Sequence, residues 1–505
     1  MNFKKVATIA AVAGALAAIT VPAMAFESQF SGTSRLRYFL SNYENGGGGN
    51  PLATTSGVVV VPTWSDSTSA KLKMNNYFEQ RTRLFYTAKV SDDLKLVTGF
   101  EIDSVFGDRA QSQTTPSATA AGATGRGQGG ALESDTVNLE TKHVYLDFKI
   151  PSTPVRVTAG IQPIKDQLKG IFFDADVAGI LASTKLGAAT VNAGYFRGYD
   201  QSYFGTTAAP TSTVRPRGMD NLDIGLLEGK YEVSKNINAG AVYYLYNDSR
   251  GLLGYSDIMI HTLGLTGDAK FGALNVSGFL AYQGGILKTN GASTAYLNAV
   301  AANVAGKMAI GPGTLKTAIL FTSGNDSNAA TNGHLTGWVG SSQSQNNTWA
   351  ATAGTSTYNE SGMMLLNRNA AAGTGTTDVA IVYNTGNGTT PLNMQGLYLY
   401  SLGYDTAITP KFYTNANLGM AWVAKTNSLK PIDKATASQN GSNFMGTELN
   451  VETGYKLYDN LTASVQAAYV MLGGFYKGSS SAGTLADAKN PENPYTVRTS
   501  LIFNF

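Results

Sequence analysis

From about residue 31 to its last residue the chain is written in windows of roughly ten residues in which apolar and polar side chains alternate, and no helical period competes with them. Successive side chains of a strand point to opposite faces, so each window makes one greasy face and one wet face. Leu36, Tyr38 and Leu40 share a face while Arg35, Arg37 and Phe39 take the other. In the last window Tyr495, Val497, Thr499, Leu501, Phe503 and Phe505 stand opposite Thr496, Arg498, Ser500 and Asn504. Only 14% of residues are charged, against roughly 25% in soluble domains. Something other than water therefore faces part of the surface. Beyond Thr20 the apolar runs, such as Val58–Val61, are short, far below the 18 or more residues of a spanning helix. A membrane form of this chain has to cross with strands, and strands in hydrocarbon have to close into a barrel to pair their backbone groups.

Residues Met1–Ala25 read as a secretory signal, with Lys4 and Lys5 before the apolar stretch Val6–Thr20 and a small-residue cleavage site at Ala23-Met24-Ala25. The exported part, 26–505, reads as one domain. Cysteine is absent, which excludes disulfides, thiolate metal sites, cysteine nucleophiles and covalent haem attachment. Lys plus Arg number 37 against 34 Asp plus Glu, so no nucleic-acid partner is expected.

Antiparallel pairing keeps the sum of opposed residue numbers constant, which lets neighbouring windows be tested against each other. Setting Val90 opposite Leu94 across Ser91-Asp92-Asp93 places Leu84 against Phe100 on one face. On the other face it places Arg83 against Glu101 and Arg81 against Asp103. Each facing charge pair favours that register by about 0.2–1 kcal/mol. Three-residue turns recur in Val233–Ile237, Ile408–Phe412 and Leu457–Leu461; the last puts Glu448, Asn450, Glu452 and Lys456 on the wet face. Between the tight turns lie long Gly/Ser/Thr/Asn-rich stretches: Ser41–Lys73, Val105–Asp135, Asn325–Pro391 and Lys477–Pro494. Short turns on one side and long loops on the other are the pattern of outer-membrane barrels. Eighteen windows are read, but those near 179–186, 221–233 and 296–308 alternate poorly, which leaves 16 open. The expected fold is all-β, a transmembrane antiparallel barrel of about 18 strands with short periplasmic turns and long extracellular loops.

Arg35, Arg37, Arg81 and Arg83 share the wet face of the first strands, and Arg498 on the last strand adjoins the first once the barrel closes. With Glu101, Asp103 and Arg156 they are the candidate pore-lining residues, since charges on the wall of a pore set ion selectivity. The alternative is that Glu101 and Asp103 neutralise Arg83 and Arg81 in a network that only keeps a polar wall satisfied. Tyr43, Tyr86, Tyr243, Tyr398, Tyr404, Trp422 and Tyr476 sit near strand ends, as interfacial girdles do. His143, His261 and His334 carry no metal-ligand spacing, and no G-x-S-x-G elbow, Walker loop or dinucleotide fingerprint is present. Neither an enzyme, a metal nor a cofactor is expected.

The terminal Phe505 and the strand pair that begins Gly446-Thr-Glu-Leu-Asn-Val-Glu and runs through the turn Leu457-Tyr-Asp-Asn-Leu461 resemble bacterial outer-membrane porins, the porin-like and alginate-export-like barrels. The resemblance implies a water-filled pore for passive diffusion of small hydrophilic solutes or ions, in contact with outer-membrane lipid. Porins are commonly trimers, and a homotrimer is left open. In general porins the loop after the fifth strand folds inward; here that position is Gln162–Ala178, apolar and charged unlike the other loops. By resemblance Asp166, Asp174 and Asp176 face a basic wall across a constriction, with Lys165 and Lys169 tuning the field. An ordinary ordered external loop is the alternative. Three other readings stay in view: a polysaccharide or solute exporter, a barrel sheathing a multihaem cytochrome conduit, and a secreted β-sandwich adhesin.

Overall fold

The alternating windows are strands in the computed structural model, which describes residues 26–42, 53–55, 58–60, 74–107, 139–200, 218–250, 255–289, 294–326, 333–340, 358–366, 396–425, 432–433, 438–439, 442–476 and 492–505. The signal segment, Tyr43 and most of the long stretches lie outside the described residues, as does the side chain of Tyr476. Eighteen strands form the wall: β1 Glu27–Ser41, β2 Asn75–Ser91, β3 Leu94–Val105, β4 Leu139–Lys149, β5 Val155–Lys165, β6 Asp174–Leu186, β7 Ala189–Asp200, β8 Asn221–Ser234 and β9 Ile237–Asp248. They continue as β10 Tyr255–Phe271, β11 Leu274–Thr289, β12 Thr294–Ile310, β13 Gly313–Thr322, β14 Leu397–Ala407, β15 Phe412–Val423, β16 Phe444–Tyr458, β17 Leu461–Leu472 and β18 Tyr495–Asn504. Each pairs antiparallel with its sequence neighbours, and β18 returns to β1 with Thr33 opposite Asn504 through Ser41 opposite Thr496, so the sheet has no free edge. The carboxyl terminus is fastened there as well: Gly32 N–H donates to the Phe505 carbonyl at 2.8 Å, and Phe505 N–H donates to the Gly32 carbonyl at 3.1 Å.

The expected β2–β3 register holds, with Arg81 opposite Asp103, Arg83 opposite Glu101 and Leu84 opposite Phe100. The turn itself is tighter than expected. A bulge at the end of β2 sets Ser91 against Leu94 and leaves Asp92-Asp93 as the turn. The same shift sets Ser234 against Ile237 and Tyr458 against Leu461. A bulge adds local twist, which fits a two-residue turn to strongly twisted strands.

Leu36, Phe30, Leu265, Leu280, Ile319, Leu449 and Phe503 are exposed on the outer face. Tyr86 packs on Phe30 and Trp422 on Phe444, with ring centroids 4.9 and 5.2 Å apart. A continuous apolar exterior on a closed antiparallel barrel belongs in a bilayer, so the chain is a transmembrane β-barrel of the outer-membrane type.

The three windows with poor alternation have a common physical cause. On β8 Leu222, Ile224 and Leu226 are buried on the inner face while Leu227 is exposed on the outer one. On β12 Ala295, Leu297, Ala299 and Ala301 line the inner face opposite Tyr296 and Val300. On β6 Ile180 is exposed outside while Leu181 packs against the interior cluster. These strands are apolar on both faces because their inner faces are covered by other parts of the chain.

Candidate functional site

The residues that cover those inner faces begin where β5 leaves the wall. Pairing of β4 with β5 ends at Val144 opposite Ile161, and β6 rejoins β7 at Ala178 opposite Arg197. Between these points residues 162–177 form a hairpin whose strand pairing is with itself, from Gln162 opposite Val177 to Lys165 opposite Asp174. Gly160 sits just before the departure at φ +132°, a conformation strained for any side chain, and a Cβ there would collide with the Val144 carbonyl and Tyr145.

The hairpin tip, residues 166–173, crosses the lumen to the inner wall of β8–β11. Phe172 stacks on Tyr244 with centroids 4.9 Å apart, and Leu168 lies over Gly264. Gln167 donates its backbone N–H and side-chain amide to the Glu228 carboxylate at 3.3 and 3.1 Å. The tip is built around Asp166, whose carboxylate accepts the N–H groups of Gly170 (2.9 Å), Phe172 (2.8 Å) and Phe173. Burial pushes the Asp166 carboxyl up to about 7, and the nearby Glu228 carboxylate adds to this, although the three N–H donors pull it down.

Two pieces of the connection between β13 and β14 also enter the lumen. Val339 exchanges backbone hydrogen bonds with the Gln283 side chain at 2.7 and 2.9 Å, and the Trp338 indole N–H donates to the Ile171 carbonyl at 3.2 Å. Residues 358–366 lie against β12–β16: the Tyr358 hydroxyl meets Asn303, and Met363 occupies the space over Gly419. The carboxylate of Glu448, wholly buried on β16, accepts the N–H groups of Met364 (2.7 Å), Leu365 (3.0 Å) and Leu366. Sequence reasoning missed these pieces inside the stretch Asn325–Pro391. Their signal was the pair Trp338-Val339 and the run Met363–Leu366, apolar islands in Gly/Ser/Thr/Asn-rich surroundings. The two inward units meet at Lys169, whose ammonium bonds the Glu360 carboxylate at 2.5 Å and the Ser277 hydroxyl at 2.8 Å.

One side of the lumen is thus a packed apolar core, and the other is a charged wall on β1–β4 and β18. Arg81 makes a two-pronged contact with Asp103, both bonds at 2.6 Å, and Arg83 bonds Glu101. Arg35 and Arg37 share Glu79 at 3.4 and 3.9 Å. Arg498 is fully buried with its guanidinium 5.4 Å from the centroid of the Phe39 ring. Glu101, Asp103 and Glu140 bring their carboxylate oxygens within 4.8 Å of one another, among Arg81, Arg83 and Lys142. Arg156 lies apart at the tight-turn end, where it shares Asp147 with Lys95.

The loop carboxylates are placed differently from one another. Asp176 reaches the charged wall, accepting from Lys142 at 2.8 Å and contacting His143 at 2.9 Å. Asp174 pairs with Lys165 across the hairpin at 3.0 Å. Asp166 is buried in the tip, where its carboxylate is held by the loop's own N–H groups, and Lys169 points to Glu360. Among the histidines, His261 bonds the Tyr243 hydroxyl at 2.8 Å and His334 stacks on Tyr296.

No protein-family model and no curated protein matches the chain. Solved structures with the same architecture include OccAB1 of Acinetobacter baumannii, with a TM-score of 0.50 at 10% identity over 95% of this chain and 96% of that one. The outer membrane protein OpdK of Pseudomonas aeruginosa aligns with a TM-score of 0.48 at 10% identity, over 95% of this chain and 99% of that one. At such identity the likeness is one of fold.

Proposed function

We propose that the protein is an outer-membrane channel through which small hydrophilic solutes or ions diffuse passively. The observation that carries this reading is the hairpin 162–177, which is unpaired from both neighbours and crosses an otherwise too-wide barrel. An 18-stranded barrel interior is too wide for wall side chains to fill, and a segment folded across it sets the narrowest section. The core on β8–β16 takes one half of the section, so the passage runs beside the arginine and carboxylate wall. That wall favours polar solutes over apolar ones, and because its cations are largely paired its ion selectivity is mild. An exporter of polyanions calls for a continuous basic lumen, which the interleaved Glu79, Glu101 and Asp103 interrupt. A sheath for a cytochrome conduit calls for a vacant lumen, and the inward segments take that space. Liposome swelling tests the proposal: vesicles carrying the protein should swell in isosmotic monosaccharide or amino acid and stay intact in a large oligosaccharide. Equal, protein-independent swelling rates for all of them would remove it.

A further inference from the structure

At the tight-turn end of the same lumen, beneath the Lys169–Glu360 contact, lies a cavity of about 320 Å³ lined by Lys235, Lys270, Lys307, Asn238, Asn275 and Ser277 together with Asp268 and Glu360. Its position follows from register. Lys270 on β10 opposes Asn275 on β11, Asn275 opposes Lys307 on β12, and Lys307 opposes Lys316 on β13. Each lies on the inner face, in phase with the buried Ile260, Phe279, Ala305 and Ala318. Like charges directly opposed across a strand pair are destabilising, so the Lys307–Lys316 pairing is not explained by the stability of the wall. Lys316 is matched by Asp405 at 2.6 Å. Both carboxylates of the cavity are already engaged, Asp268 with Lys230 at 3.1 Å and Glu360 with Lys169 at 2.5 Å. Among the described residues Lys235, Lys270 and Lys307 make no ion pair.

We propose that this cavity is a subsite for a phosphate-type oxyanion, either inorganic phosphate or a small phosphate monoester. The inference rests on the channel reading for its biological setting and on the cavity alone for its chemistry. Three separate ammonium groups around the amides of Asn238 and Asn275 and the Ser277 hydroxyl suit a tetrahedral ligand with acceptors on all sides and close to two charges at neutral pH. A planar carboxylate with one charge matches guanidinium forks better, and those on the opposite wall are occupied by Asp103 and Glu101. The volume exceeds what a lone phosphate fills, a water occupying about 30 Å³ in the liquid, which leaves room for the alcohol part of an ester.

The test uses the full barrel refolded in detergent, with folding checked by heat-modifiable electrophoretic mobility, and binding read from phosphorus NMR line broadening. Inorganic phosphate and glycerol phosphate are titrated in parallel, and whichever binds more tightly identifies the source of the oxyanion. The expected result is saturable binding that the double variant Lys270→Gln/Lys307→Gln weakens roughly tenfold or more. Equal binding by the folded wild type and the folded variant, or none by the wild type, overturns the subsite. Bilayer recording on the same samples separates the two claims. A silent barrel with variant-sensitive binding removes the channel and keeps the subsite; a conducting barrel with unchanged binding does the reverse.

Discussion

Two carboxylates hold the inward segments, and they do it alike. Asp166 and Glu448 each receive three backbone N–H groups from a loop that would otherwise leave those donors buried and unpaired. A buried donor left without a partner costs about 1–3 kcal/mol, so Asp166→Ala should release the hairpin tip while leaving the wall intact. Greater protease sensitivity near Lys169 with unchanged heat-modifiable mobility is the expected outcome; a tip as resistant as wild type would show that Asp166 is dispensable. Asp166 also makes the tip sensitive to pH. Its folded pKa, about 7, lies above the unfolded value of about 3.9. The stability it contributes is therefore complete below pH ~4 and is lost as pH rises through about 7. The opening equilibrium of the tip, taken from hydrogen exchange of Gly170 and Phe172 after division by the intrinsic exchange rates, should increase from about pH 4 to about pH 7 and level off above, and Asp166→Asn should flatten that dependence.

At the level of elements, what the sequence made legible was the wall. Strict alternation located the strands, and the Arg83–Glu101 and Arg81–Asp103 pairs selected the β2–β3 register that the structure has. Cysteines in place of Arg83 and Glu101 should form a disulfide in the folded barrel, whereas cysteines at Arg83 and Phe100 point to opposite faces and should not. Less legible were the elements whose inner faces carry cargo of their own. Leu226 beside Leu227 looks like a slip of phase because alternation assumes a wet lumen, and there the lumen is the hydrophobic core. The segment leaving the wall after the fifth strand, expected over Gln162–Ala178 although in the structure Ala178 is already back in the wall opposite Arg197, was visible as an apolar and charged island. The individual roles of its charges were not, since whether Asp174 meets Lys165 or the wall depends on how far the hairpin bends. Asp176 ties the hairpin to the charged wall, through Lys142 and His143. Asp176→Asn removes one lumen carboxylate and leaves Lys142 only the more distant Glu101 at 3.9 Å, so the reversal potential in a salt gradient should shift towards anion selectivity; an unchanged potential would place the passage elsewhere.

For the whole molecule, a closed wall, an apolar belt outside and a lumen split between core and charge underlie the proposed narrow polar path through a wide barrel. Closure and constriction rest on different parts of the chain. The wall is held by β1 against β18 and by the Phe505 backbone on Gly32, the inward segments of the proposed constriction by Asp166, Glu448 and the Lys169–Glu360 contact. Damage to the second should change conductance without unfolding the first. The most direct measurement is single-channel recording in a planar lipid bilayer, comparing the wild type with Asp166→Ala. Steady, near-ohmic openings whose conductance rises in the variant are the predicted result. A correctly folded wild-type barrel that stays silent, or a variant with the same conductance, would contradict a pore narrowed by the hairpin 162–177.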